Sequence, residues 1–290
     1  MAGARVGRRE EAGHLYERAF LGPRDRERIL AWLSGLEPLW EERFSEHFPP
    51  PPGQSQRRLL RPVWWLGNWQ FACLGYYRPP HGVRDRCVRA EPFPEVLARL
   101  VDRIERKVHG RFAPRDVPAG WRLNTCLVNL YGRRLEGDRW VDVARVGEHR
   151  DFEPGPVASL SIGERALLQF VAPSRAGEGS RVVLEQWLDD GSLQVFGGER
   201  FKDRLFHRVQ RVDRRGGFDL PPAMPDFRTR RVNFTFRWVP DRHVVRFADL
   251  GADARADVRG YVERLARTSP HFRAEIEAER PEVVRGGGDA

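Results

Sequence analysis

The chain has 290 residues, a formal charge of +9 from 50 basic and 41 acidic side chains, and 40% hydrophobic residues with nine tryptophans. That supplies a packed core, while no apolar run is long enough to span a bilayer. Three cysteines, Cys73, Cys87 and Cys126, lack metal-ligand spacing and exclude a disulfide scaffold.

The N-terminal twenty residues are basic without the apolar core of a signal peptide; with reduced thiols this points to the cytoplasm. Lys107 and Lys202 are the only lysines. Arginine binds phosphate and carboxylate bidentately, but a GC-rich genome gives the same bias. The net positive sign therefore carries more weight, and it favours a nucleic-acid partner.

Residues 1–15 read as disordered. Ile29, Leu30, Leu33 and Leu36 recur at helical spacing and predict a helix over 23–36. "PPPPG" at 49–53 is a loop. "RPVWWLGNWQFACLGYYRPP" reads as one or two strands broken near Gly67 and Gly75. Val96, Leu97, Leu100, Val101 and Ile104 predict a second helix ending near Gly110. After Pro118 the period changes to two, through "LNTCLVNLY", "PVASLSI", "ALLQFV", "RVVLEQWL", "SLQVFG" and "RVNFTFRWV". Asp190-Gly191 is a hairpin signal between two of these runs. Helices followed by many short strands predict helices packed on an antiparallel barrel or jelly roll. Polar helical segments return after Asp241, and "RGGGDA" is a frayed tail.

In a strand, residues i and i+2 share a face, so His149 and Asp151 point together and Arg150 points away. With His207, 58 residues later, they have the composition of the two-histidine, one-carboxylate site of non-haem iron oxygenases. A His-x-Asp pair also arises by chance, and an ordinary polar strand end reads the same way. In "RRVNFTFRW" the odd positions are Arg231, Asn233, Thr235 and Arg237, and the even ones are apolar. Such a face is either a solvated exterior or an interior needing anionic partners. The two arginines lie about 20 Å apart along a strand, so they reach one small dicarboxylate from opposite ends or serve separate ligands. Asn129 and Tyr131 share a face of "TCLVNLY", and both can hydrogen-bond a carboxylate.

Together "LVNLY", "GEHRDFE", "PVASLSIG", "GSLQVFGG", His207 and "RRVNFTFR" resemble the AlkB family of Fe(II)- and 2-oxoglutarate-dependent dioxygenases, over about residues 64–238. The resemblance implies an α+β fold. Its core is a double-stranded β-helix (jelly-roll, cupin-like), with supporting N-terminal helices and a C-terminal helical extension. The expected organisation is a tail, helix and Pro-rich loop over 1–63, a dioxygenase domain over 64–240 (lid 64–80, core 121–240), and an extension over 241–290.

By resemblance, His149, Asp151 and His207 ligate Fe(II) and carry catalysis. Arg231 pairs with the distal carboxylate of 2-oxoglutarate, assisted by Asn129 and Tyr131. Arg237 lies at the iron-side carboxylate and Asn233 supports the site; O2 is the second co-substrate. Trp69 and Tyr76 fall in the nucleotide-recognition lid, although Trp69 reads equally well as core, and Glu153 at a position that contacts the flipped base. The implied activity is oxidative demethylation of N-alkylated bases in DNA or RNA by a monomeric, cytoplasmic enzyme. Its rivals are the same oxygenation of a protein or small molecule, and a catalytically silent nucleic-acid-binding module. One departure is the 18-residue separation of Tyr131 and His149, long for the family. "GRRLEGDRWVDVARV" there reads as a strand pair with an extra arginine-bearing loop, which puts the substrate in doubt rather than the cofactor.

Overall fold

The computed structural model describes residues 12–76, 87–173, 179–210 and 217–279. Residues 1–11 of the expected disordered start, 77–80 of the expected lid and the tail 285–290 lie outside them. In chain order the elements are β1 (His14–Glu17), α1 (Pro23–Ser34), β2 (Val63–Leu66), β3 (Asn68–Gln70), β4 (Cys87–Arg89), α2 (Glu95–Arg111), β5 (Thr125–Glu136), β6 (Arg139–Asp142), β7 (Val146–His149), β8 (Val157–Gly163), β9 (Ala166–Ala172), β10 (Arg181–Leu188), β11 (Leu193–Phe196), β12 (Phe206–Gln210), β13 (Leu220–Met224), β14 (Phe227–Arg237), β15 (Val244–Val245), α3 (Ala252–Ala266) and α4 (Pro270–Glu279).

The fold is α+β and jelly-roll-like. A major antiparallel sheet runs β1-β11-β8-β14-β5-β2, with β13 added on β14 and β6 on β5. A four-stranded sheet, β10-β9-β12-β7, is the minor one, and β15-β4-β3 form a third. Between the major and minor sheets, Phe170 packs against Phe196 and Phe201 with ring centroids 5.3 and 4.8 Å away.

Helices α1 and α2 cover the outer face of the major sheet. Proline at the first position of α1 suits a site whose N–H would be unbonded. In α2, Val96, Leu97, Leu100, Val101, Ile104 and Val108 are buried at spacings of three and four, each contributing about 1.5–3 kcal/mol. The even residues of β14, Val232, Phe234 and Phe236, are fully buried under this layer: Trp32 of α1 lies 6.3 Å from Phe234 and Phe93 lies 6.0 Å from Phe236. The odd residues of β14 must then face the interior of the roll.

Two expectations change. His14–Glu17 is an ordered strand rather than partly a disordered tail, because β11 offers it an edge to pair with. Asp190-Gly191 does not close a hairpin: β10 belongs to the minor sheet and β11 to the major one. The positive φ of Gly191 (72°) turns the chain between layers, and Asp190 Oδ1 accepts the Gly163 N–H at 2.7 Å. The second helix ends at Arg111, with Gly110 near its end as expected. "GRRLEGDRWVDVARV" does form a strand pair, β5 with β6 across Gly137. Among the described residues no helix is long and apolar enough to cross a membrane, and all three cysteines are buried and unbridged.

Candidate metal centre and anion cavity

β7 and β12 are antiparallel neighbours, and their register places His149 directly opposite His207. The ring centroids are 4.2 Å apart. Asp151 lies beyond the end of β7, yet the chain turns its carboxylate to the same place, with Oδ2 3.4 Å from His207 Nε2. One ligand atom from each of the three lies within 4.8 Å of the others.

The protonation states suit a cation. Burial alone would raise the Asp151 carboxyl, but Arg237, His207, Lys202 and His149 outweigh it and hold it well below the usual carboxylate range. Burial, with His149 beside it, pushes the His207 imidazole down to about 3. An ionised carboxylate beside a neutral imidazole is the donor set a metal requires. His149 Nδ1 lies 2.9 Å from the Gly147 carbonyl; as the N–H donor there, it leaves the Nε2 lone pair for a metal. His207 Nδ1 is buried without a hydrogen-bond partner. The residues present fit an iron ion.

Arg237 Nε and Nη2 both donate to Asp151 Oδ1, at 2.9 and 2.7 Å, which leaves Oδ2 on the cluster side. Lys202 Nζ donates to the Asp151 carbonyl at 2.9 Å. Burial lowers the Lys202 ammonium while Asp151 and Glu153 oppose that shift. Arg237 Nη1 is buried without a hydrogen-bond partner among the described residues.

The cluster opens on a cavity of about 560 Å3. Its wall is the inner face of the major sheet, where cross-strand pairing aligns Asn129 with Asn233 and Tyr131 with Arg231, and Asn233 with Ser161. Arg231 is 3% exposed. It donates from Nη2 to Ser161 Oγ at 3.1 Å, and its Nε has no partner. Asn233 Nδ2 donates to Ser159 Oγ, the Leu160 carbonyl and Ser161 Oγ. The eight expected residues of the metal and co-substrate set therefore line one cavity.

The expected substrate residues divide. Tyr76 lines the cavity. Trp69 does not: it is fully buried, donates from its indole to Glu41 Oε1 at 2.8 Å and stacks on Phe71 at 4.5 Å. It is a core residue, because the third sheet and α4 close over it through Phe272. Glu153 is 1% exposed, accepts from Gln70 Nε2 (3.0 Å) and Tyr76 Oη (3.3 Å), and lies 3.5 Å from Arg237 Nε. It ties Gln70 and Tyr76 to Arg237 from behind the wall rather than lining the cavity.

Sequence reasoning missed Ser159, Ser161, Arg61 and Lys202. The serines carried a signal, since "ASLSI" alternates polar and apolar residues on a strand. Arg61 and Lys202 carried none; only the tertiary structure brings them to the site.

The model of the 2OG-Fe(II) oxygenase superfamily matches residues 14–237. No curated protein sequence matches. Among solved structures, the chain is similar to OsALKBH1 at 21% identity, covering 80% of this chain and 100% of that one with a TM-score of 0.47. It is similar to YcfD, a ribosomal oxygenase from Escherichia coli solved with cobalt and succinic acid, at 10% identity (91% and 66% covered, TM-score 0.32). A bsmA homologue from Methylobium petroleophilum PM1 is 17% identical (74% and 82% covered, TM-score 0.29). With TM-scores below 0.5, the assignment rests on the family match.

Proposed function

Because the chain belongs to the 2OG-Fe(II) oxygenase superfamily, with Fe(II), 2-oxoglutarate and O2 as its cofactor and co-substrates, we propose that it is an AlkB-like oxidative demethylase of N-alkylated bases in DNA or RNA. One observation carries this reading: His149, Asp151 and His207 converge at one cavity with Arg231 and Arg237. A catalytically silent binding module has no use for that arrangement.

In this reading His149 Nε2, Asp151 Oδ2 and His207 hold the metal. Arg237 fixes the Asp151 carboxylate through Oδ1 and offers its unpartnered Nη1 to the metal-side carboxylate of 2-oxoglutarate. Arg231, Asn129 and Tyr131 bind the distal carboxylate, and Asn233 is locked behind them by the two serines. Iron held by these three residues would supply, with 2-oxoglutarate and O2, the oxidation of an N-methyl C–H to C–OH with release of succinate and CO2. The hydroxymethyl nitrogen then loses formaldehyde, and the base recovers its N–H.

Tyr76 stands on the cavity wall to meet the base, which must leave its stack to be reached. Arg133 and Arg228 are opposite each other on β5 and β14, and Arg228 lies over Trp140 with its guanidinium carbon 4.6 Å from the ring centroid. Arg133 extends the Asn129–Tyr131 face outward by period two. This basic strip suits phosphates, which position a strand without reading sequence.

The experiment is formaldehyde release over a panel of N-methylated single- and double-stranded oligonucleotides. Formaldehyde from one or more supports the reading. Succinate without formaldehyde from any would transfer it to the second reading, oxygenation of a protein or small molecule, which the withdrawal of Trp69 and Glu153 from the cavity favours.

A further inference from the structure

Arg61 precedes β2, whose first residue, Val63, pairs with Asn129. Leu130 N–H donates to the Pro62 carbonyl at 3.3 Å, carrying the pairing back toward Arg61. Arg61 therefore joins Tyr131 and Arg231 in a row across three strands. The guanidinium carbons of Arg61 and Arg231 lie 4.6 and 4.8 Å from the Tyr131 ring centroid. Arg61 Nε donates to Asn129 Oδ1 at 3.0 Å.

That hydrogen bond has a directional consequence. An asparagine amide presents either an oxygen or an NH2 to its surroundings, and only the NH2 attracts an anion. A guanidinium has donors and no acceptor, so Arg61 can engage only the oxygen. Asn129 is thereby turned with its NH2 free of any other partner among the described residues, on a side chain that lines the cavity. No carboxylate among the described residues lies within ion-pair distance of Arg61 or Arg231, Glu164 acting on Arg231 only from farther off, and Arg231 Nε has no hydrogen-bond partner among those residues. This end of the cavity is built for an anion from outside.

We propose that Arg61 is a positioning residue that makes this end selective for a second carboxylate, by holding the Asn129 amide with its NH2 toward the ligand. The proposal rests on the co-substrate assignment above. Arg61 acts through Asn129 rather than by touching the reacting atoms.

The test is equilibrium binding to the full chain loaded with Mn(II) under nitrogen, read by tryptophan fluorescence, with 2-oxoglutarate and with 2-oxobutyrate, which lacks the distal carboxylate. Arg61→Met should weaken 2-oxoglutarate about tenfold, the size of one hydrogen bond to a charged group. It should leave 2-oxobutyrate and Mn(II) affinity unchanged. Arg61→Lys, which keeps a donor, should recover most of the loss. Asn129→Ala combined with Arg61→Met should bind no more weakly than Asn129→Ala alone.

The proposal is overturned if Arg61→Met leaves 2-oxoglutarate affinity intact, if it weakens both acids equally, or if the two losses add. Should Arg61→Met not fold, Arg61→Lys compared with Asn129→Ala decides it: a lysine variant as weak as Asn129→Ala overturns the proposal. A wild type that does not distinguish the two acids instead refutes the co-substrate assignment, and this proposal falls with it.

Discussion

The two sides of the cavity are built differently. The co-substrate side is regular antiparallel sheet, in which Asn129, Tyr131, Ser159, Ser161, Arg231 and Asn233 stand on one face because side chains alternate along strands. The side expected to form a lid is short strands and turns over 64–76, held down by the C-terminal helices: the Tyr261 hydroxyl oxygen of α3 accepts the Glu42 N–H at 2.7 Å, and Phe272 of α4 abuts Trp69. On the sheet side polarity points to a ligand. On the lid side it is absorbed by packing, as Glu41 takes the indole N–H groups of both Trp65 and Trp69.

The largest expected effect is on the sheet side's metal end. Asp151→Ala should abolish turnover and the weak visible band of anaerobic Fe(II)–2-oxoglutarate, as should His149→Ala. Asp151→Ala should also lower stability by about 3 kcal/mol in chemical denaturation, because the buried Arg237 loses its counter-charge. Retention of the band would remove these residues from the metal site.

Next comes the far end of the same wall. Arg231→Ala should weaken 2-oxoglutarate about a hundredfold, or about 2.7 kcal/mol, with metal affinity unchanged. Equal loss of both would make Arg231 a structural cation and erase the division between the two ends.

The lid side should respond in stability rather than recognition. Trp69→Phe removes a hydrogen bond to a buried carboxylate and should lower stability by about 1–3 kcal/mol, without changing KM for an oligonucleotide. A KM increase at unchanged melting temperature would return Trp69 to the substrate.

The same latch also carries a pH dependence. Burial raises the Glu41 carboxyl from 4.5 to about 7, against the N–H groups of Ala72, Trp65 and Trp69 that lower it. The folded protein then holds a proton that the unfolded chain has released between about pH 4.5 and 7, so this group's contribution to stability falls as pH rises through that window, by about 3 kcal/mol in all. Glu41→Gln should flatten that part of the stability–pH curve, whereas an unchanged slope would assign the titration elsewhere.

This contrast explains what was legible. The polar face of β14 could be read from residues 231–237 because alternation is a local property of a strand. The candidate metal ligands His149 and Asp151 stood out because they are two apart, although a turn, not the strand, carries Asp151. The Asp190-Gly191 misreading had the opposite cause: the turn is local, but which sheet each flanking strand joins depends on the layers.

By itself the sequence determined which side chains share a face, the helical surfaces that cover the sheet, and the residue types of a metal and carboxylate site. The tertiary structure alone decided that His207 lies opposite His149, that Arg61 turns the Asn129 amide, that Lys202 holds the Asp151 carbonyl, and that Trp69 is core. The physical reason is range: backbone periodicity is set by neighbouring residues, whereas burial and hydrogen-bond partners are set by segments 50 to 200 residues away.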